Sequence, residues 1–168
     1  MASLLRMPLR WLAAGFLAAL VLGCASDGRR LRPGVDDTAA ARAQMGPPAE
    51  VLSADHGGEI WFYPRGRVGR QTIRVEFAPD GKFLNVEQVL YEKNFDRIID
   101  GKTTREEVRR MLGSPEFEWL AMNGWEMNWE YRYWWAQQPW VLFVGLDQKG
   151  IVTGQHRRSE LSDPRSFP

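Results

Sequence analysis

The amino-acid sequence predicts an α+β fold in two tandem units, each a helix followed by an antiparallel meander in a two-layer sandwich. Three observations carry this expectation. Landmark residues recur at a near-constant spacing: Gly34, Gly46 and Pro48 return as Gly101, Gly113 and Pro115 at an offset of 67. Trp61-Phe62-Tyr63 returns as Trp129-Glu130-Tyr131 at 68, and Asp80-Gly81 as Lys149-Gly150 at 69. Period-two stretches follow each expected helix-stop glycine, the pattern of strands with one buried face. A duplication rather than a solenoid is implied, since a solenoid needs at least three copies.

The elements follow in chain order. Arg6 and Arg10 form a basic start without an acid before Asp27, and an apolar run extends from Trp11 to Leu22. At about 1.5 Å per residue this run makes roughly 18 Å of helix, short of the ~30 Å hydrocarbon core, so a cleavable signal over residues 1–23 fits better than a membrane span. Val21-Leu22-Gly23-Cys24 closes it. Residues 24–34 are polar and basic and read as a flexible tether. The first unit covers 35–90: Asp36 or Asp37 caps a helix over Ala39 to Met45, and Gly46 stops it. The second covers 91–158. A short helix from Tyr91 to Ile99 joins the units with Phe95, Ile98 and Ile99 inward. Thr104 and Glu107 then make a capping box, Val108, Met111 and Leu112 face the core, and Gly113 and Pro115 end the helix. Trp125, Met127, Trp129, Tyr131 and Tyr133 alternate with polar residues, as do Ile73, Val75 and Phe77. Pro79-Asp80-Gly81 and the 147–150 segment are turn chemistry. Residues 159–168 read as a disordered tail.

Two stretches resemble known families. Val21-Leu22-Gly23-Cys24 resembles the bacterial lipobox, which implies diacylglycerol on Cys24 and an acylated new N-terminus. Several acyl chains, each adding about 0.8 kcal/mol per buried methylene, anchor stably. Ala25 after the cysteine implies sorting to the outer membrane. The run from Ile98 to Pro115, with Val108, Leu112, Gly113 and Pro115 at the family's spacing, resembles the SmpA/OmlA (BamE-like) outer-membrane lipoproteins. That resemblance covers about sixty residues, Phe95 to Gly154, and implies a periplasmic, lipid-anchored accessory of the β-barrel assembly machine. The family is single-unit; the tandem arrangement resembles the β-lactamase inhibitory protein fold, whose sheets lie side by side as one concave surface. The loop residues by which family members touch their partner have no match here, so no binding residue carries over.

With Cys24 lipidated, no disulfide is available. Beyond residue 23 the chain has 20 basic and 21 acidic residues, which gives no reason to expect nucleic acid. Gly101-Lys102-Thr103-Thr104 is not a phosphate loop, because the position five before Gly101 is Asp96. His56 and His156 lie in no ligand-spaced cluster, and no serine occupies a nucleophile elbow. No catalytic residue, cofactor or metal is expected. The distinctive feature is tryptophan, with six between Trp119 and Trp140. Packing accounts for Trp125 and Trp129 but not for the adjacent Trp134 and Trp135, one of which must leave the core. With Trp140 across the hairpin they form a candidate partner surface. The expectation is a non-catalytic protein-binding or scaffold factor at the periplasmic face of the outer membrane. The alternatives are an inhibitor-like module on an envelope enzyme and a periplasmic hydrolase, the last requiring a pocket where carboxylates meet His56 or His156.

Overall fold

The computed structural model describes residues 27–66, 69–122 and 124–162. The signal segment and Cys24 therefore lie outside the described residues, as does the tail beyond Ser162.

The architecture is mostly β, which corrects the expected α+β pairing of helix and meander. Two four-stranded antiparallel meanders run in simple order. The first comprises β1 (Glu50–Ser53), β2 (Glu59–Arg65), β3 (Gln71–Phe77) and β4 (Phe83–Gln88). The second comprises β5 (Phe117–Leu120), β6 (Met127–Trp135), β7 (Gln138–Leu146) and β8 (Val152–Ser159). Among the described residues α-helix is confined to α1 (Thr38–Met45), the single turn α2 (Glu92–Phe95) and α3 (Arg105–Leu112). The reason lies in what each helix can bury. The alanine-rich α1 buries only Ala41 and Met45, and α3 only Val108 and Leu112. Two-turn helices cannot form a full layer, so the cores are made mainly of strand side chains.

The helices begin and end as their capping residues dictate. Asp37 accepts from the Ala40 N–H at 3.0 Å. Thr104 and Glu107 form the reciprocal capping box, with the Thr104 N–H on Glu107 Oε2 at 2.7 Å. Gly46 and Gly113 stop the two helices at φ 82° and 83°. The linker helix is shorter than expected and Ile99 points outward: Phe95 and Ile98 are buried, but Ile99 is exposed because the chain turns at 96–98 toward Thr103, whose hydroxyl takes the Ile99 N–H.

Each sheet's inner face, the one facing its own helix, holds one core. In the first, Trp61, Tyr63, Val75, Phe77 and Phe83 pack with Ala41 and Met45. In the second, Trp129, Tyr131, Tyr133, Leu142 and Leu146 pack with Val108, Leu112 and Phe95. The same devices recur in both. Tyr63 Oη donates to the Gly46 carbonyl, and Tyr131 Oη to the Gly113 carbonyl. The Gly34 N–H bonds Phe83 O as the Gly101 N–H bonds Val152 O. Leu31 is buried in the first core, so the chain is docked from there and the segment read as a tether is packed at least in part. At the other end, Ser159 closes β8 and Glu160–Ser162 form a 3-10 turn.

The first sheet is covered on both faces. Four consecutive residues of β2, Ile60 to Tyr63, are buried. Ile60 and Phe62 face away from α1 and pack with Ala54 and Leu52. What covers this outer face is α3, from the other unit. A methyl on Gly113 would stand 3.0 Å from the Phe62 ring, Arg109 Nε donates to Glu50 Oε1 at 2.5 Å, and the Ser114 N–H donates to Glu50 Oε2 at 2.9 Å. Arg74 Nε donates to the Arg110 carbonyl at 3.1 Å. Helix α3 thus lies between the inner face of one sheet and the outer face of the other.

Candidate functional site

The expected tryptophan trio sits at the β6–β7 hairpin, divided between two faces. Trp134 pairs with Pro139 on the outer face, and Trp135 with Gln138 on the inner side, where Trp140 pairs with Tyr133. Trp134 and Trp135 are 47% and 46% exposed; both leave the core, not one. Trp140 is partly buried and meets Trp135 edge to face, centroids 5.2 Å apart. Trp134 carries the Arg70 guanidinium 5.1 Å from its ring centroid, and Arg70 forks onto Glu160 at 2.6 and 2.8 Å. The hairpin closes through Ala136 and Gln137 at φ 48° and 63°, a primed turn built without glycine or asparagine.

More exposed apolar surface lies on β5, the edge strand of the second sheet. Phe117, Trp119 and Leu120 are exposed, and Met122 and Trp125 in the following turn are more so. Trp125 does not share the inward register of Trp129 because it precedes β6. The signal for this surface was present in Phe117-Glu118-Trp119-Leu120, but an edge strand and a core strand have the same alternation.

A second feature was not foreseen. The outer face of the first sheet carries two cross-strand rows, Glu50-Phe62-Arg74-Glu87 and Leu52-Ile60-Glu76-Asn85. Its β1–β2 half is apolar apart from Glu50 and meets the end of α3; its β3–β4 half is polar. Between that polar half and Asn94, Arg97, Glu107 and Arg110 opens a cleft of about 580 Å³. Here the histidine-and-carboxylate pocket that would suit a hydrolase is met in outline. His56 Nε2 lies 2.8 Å from Glu76 Oε1, while His56 Nδ1 accepts the Gly58 N–H at 3.3 Å, so both ring nitrogens are engaged. Burial pushes Glu76 up, but hydrogen bonds from His56 and Arg74 outweigh it and hold the carboxyl below its ordinary range. Glu87 is likewise lowered against its burial, by Lys93 and Asn94. The Thr104 N–H and hydroxyl lower Glu107. Three carboxylates kept ionised supply fixed charge, not a proton donor near neutral pH.

His156 stacks on Phe143 across the second sheet, centroids 4.6 Å apart, far in sequence and on a different sheet from His56. Among the described residues no group of three His, Cys, Asp or Glu could hold a metal. Cys24 cannot be related to either feature.

No family model and no curated protein matches the chain, the SmpA/OmlA family included. A crystal structure described as a "putative beta-lactamase inhibitor protein" from Streptococcus mutans aligns over 76% of this chain and 90% of its own, with 7% identity and a TM-score of 0.31. Similarity at that level carries no argument about fold or function.

Proposed function

We propose that the chain is a non-catalytic protein-binding factor, anchored through lipid on Cys24 at the periplasmic face of the outer membrane. In this reading it engages an envelope protein with the aromatic hairpin of its second sheet. The observation that carries it is the pair Trp134 and Trp135. Two adjacent strand tryptophans, each nearly half exposed, cannot both be explained by packing. Aromatic side chains are the residues interfaces use as anchors. The lipobox motif and the run from Ile98 to Pro115 support the most specific form, an accessory role in outer-membrane protein assembly.

The test is affinity purification of the full-length chain after mild detergent extraction, with mass spectrometry of co-eluting proteins. A defined envelope partner is expected with the native chain, and the Trp134→Ala/Trp135→Ala chain loses it while keeping its circular dichroism spectrum. Barrel-assembly components in the eluate support the assembly role. One stoichiometric enzyme partner, inhibited on binding, supports the inhibitor-like alternative. A folded double variant that retains every partner removes the hairpin from the interaction. Cys24→Ala serves as the anchor control and is expected to move the chain from the membrane to the soluble fraction.

A further inference from the structure

The cleft between the first sheet and α3 has an account of charges that differs from an ordinary surface. Three guanidinium groups (Arg74, Arg97, Arg110) and four carboxylates (Asp55, Glu76, Glu87, Glu107) line it. Arg74 is pinned at both ends, on Glu76 Oε2 at 2.8 Å and on the Arg110 carbonyl. Each oxygen of Glu76 already has a partner, Arg74 on one and His56 on the other. The remaining groups have unused capacity. Among the described residues Arg97 has no side-chain partner, and Arg110 pairs only with Asp55, at 3.4 Å, whose side chain is 85% exposed, while its charge also helps to lower Glu107. Glu87 spends Oε1 on Lys93 and Asn94, and Glu107 spends Oε2 on Thr104. Their other oxygens, Glu87 Oε2 and Glu107 Oε1, have no partner among the described residues. Free donors and free acceptors thus open onto one 580 Å³ space with Ile60 and Met111 in its lining, a volume typical of small-molecule sites.

We propose that this cleft binds a zwitterionic small molecule, an amino acid or short peptide, with its carboxylate on Arg97 and Arg110 and its ammonium on Glu87 and Glu107. A purely anionic ligand would meet four carboxylates, and a purely cationic one three guanidiniums. Only a molecule carrying both charges uses both sets of free groups. The pinned Arg74 and the paired Glu76 hold the wall fixed, so binding orders little. The site is independent of the aromatic hairpin, which lies on the other sheet.

Isothermal titration of the full-length chain in detergent with trialanine tests this. Saturable binding is expected, and N-acetylation or C-terminal amidation of the probe should each weaken it about tenfold or more, the scale of one lost charge-assisted contact. Arg97→Gln should weaken trialanine and become less sensitive to amidation, with Arg110 as the carboxylate's remaining partner. Glu87→Gln should weaken it too and become less sensitive to acetylation, with Glu107 remaining, the non-additivity that a double-mutant cycle reads. Both variants should retain the native thermal midpoint within a few degrees, and Trp134→Ala should bind as the native chain does. No saturable binding overturns the proposal. So does doubly capped trialanine binding as tightly as the free peptide, or caps that weaken binding equally in native and variant chains.

Discussion

At the scale of single residues, the positions that matter most join backbone geometry to a neighbour across the fold. Gly113 sits at φ 83° and ψ −171°, a region essentially confined to glycine and costing a side chain about 1–3 kcal/mol, and faces the Phe62 ring of the other unit. Gly113→Ala should lower unfolding free energy by about 2 kcal/mol in urea titration; a change below about 0.5 kcal/mol would mean that neither constraint operates. Tyr131 and Tyr133 set an alkaline limit. Burial raises the Tyr131 phenol well above its ordinary value of 10 and the Tyr133 phenol to about 12. The folded state therefore keeps these protons longer than the unfolded chain. Their contribution is fully present below pH 10 and falls above it, the Tyr133 part being lost as pH rises through about 12. Equilibrium unfolding at pH 8, 10 and 12 should show this decline, with a shallower slope in Tyr133→Phe; a native stability flat to pH 12 would refute it. Both tyrosines were legible as inward positions in a period-two strand. Their coupling to a helix stop or to Glu92 was not, since a hydroxyl's partner depends on packing.

At the scale of elements, legibility followed the strength of local signals. The capping box of α3, the two glycine stops and the alternation of β3 and β6 could be read because each is decided within a few residues. β1 and β5 were not resolved, for four-residue strands carry little periodicity. The helices' share was overestimated because capping residues fix where a helix starts and stops, not how much of a core it can bury. One signal was available and unused: the unbroken run Ile60-Trp61-Phe62-Tyr63 requires cover on both sheet faces. The β6–β7 turn supports a prediction at this scale. Ala136 and Gln137 occupy left-handed conformations that asparagine and glycine adopt at lower cost. Ala136→Asn/Gln137→Gly should therefore stabilise the chain by about 1 kcal/mol, read as a rise of roughly 3 °C in Tm. An unchanged or lower Tm would show that the turn is not strained.

At the scale of the whole molecule, α3 ties the two sheets together. Glu50 takes both the Arg109 guanidinium and the Ser114 N–H across 59 and 64 residues of chain. Glu50→Ala should cost about 1–2 kcal/mol, because it leaves an N–H and a partly exposed guanidinium without their acceptor. The native chain and this variant should each unfold in a single transition by calorimetry. Two separate transitions, with only one displaced in the variant, would show that the sheets are independent. The cleft was illegible for the same reason that α3 is important. Arg74, Glu76 and Glu87 look like the solvated side of strands until a helix some 20 to 35 residues later is laid across them.

The position of α3 also has a consequence for the order in which the chain is made. Synthesis proceeds from the amino end, so the first sheet is complete in sequence at Gln88, before Arg105–Leu112 has emerged. During that interval Leu52, Ile60 and Phe62 have no cover, and the nascent first unit presents a sticky apolar face to its surroundings. A chain truncated after residue 90 should therefore self-associate, whereas release of the full length lets residues 105–113 close the patch. In the finished fold α3, the later-made element, covers the outer face of the first-made sheet.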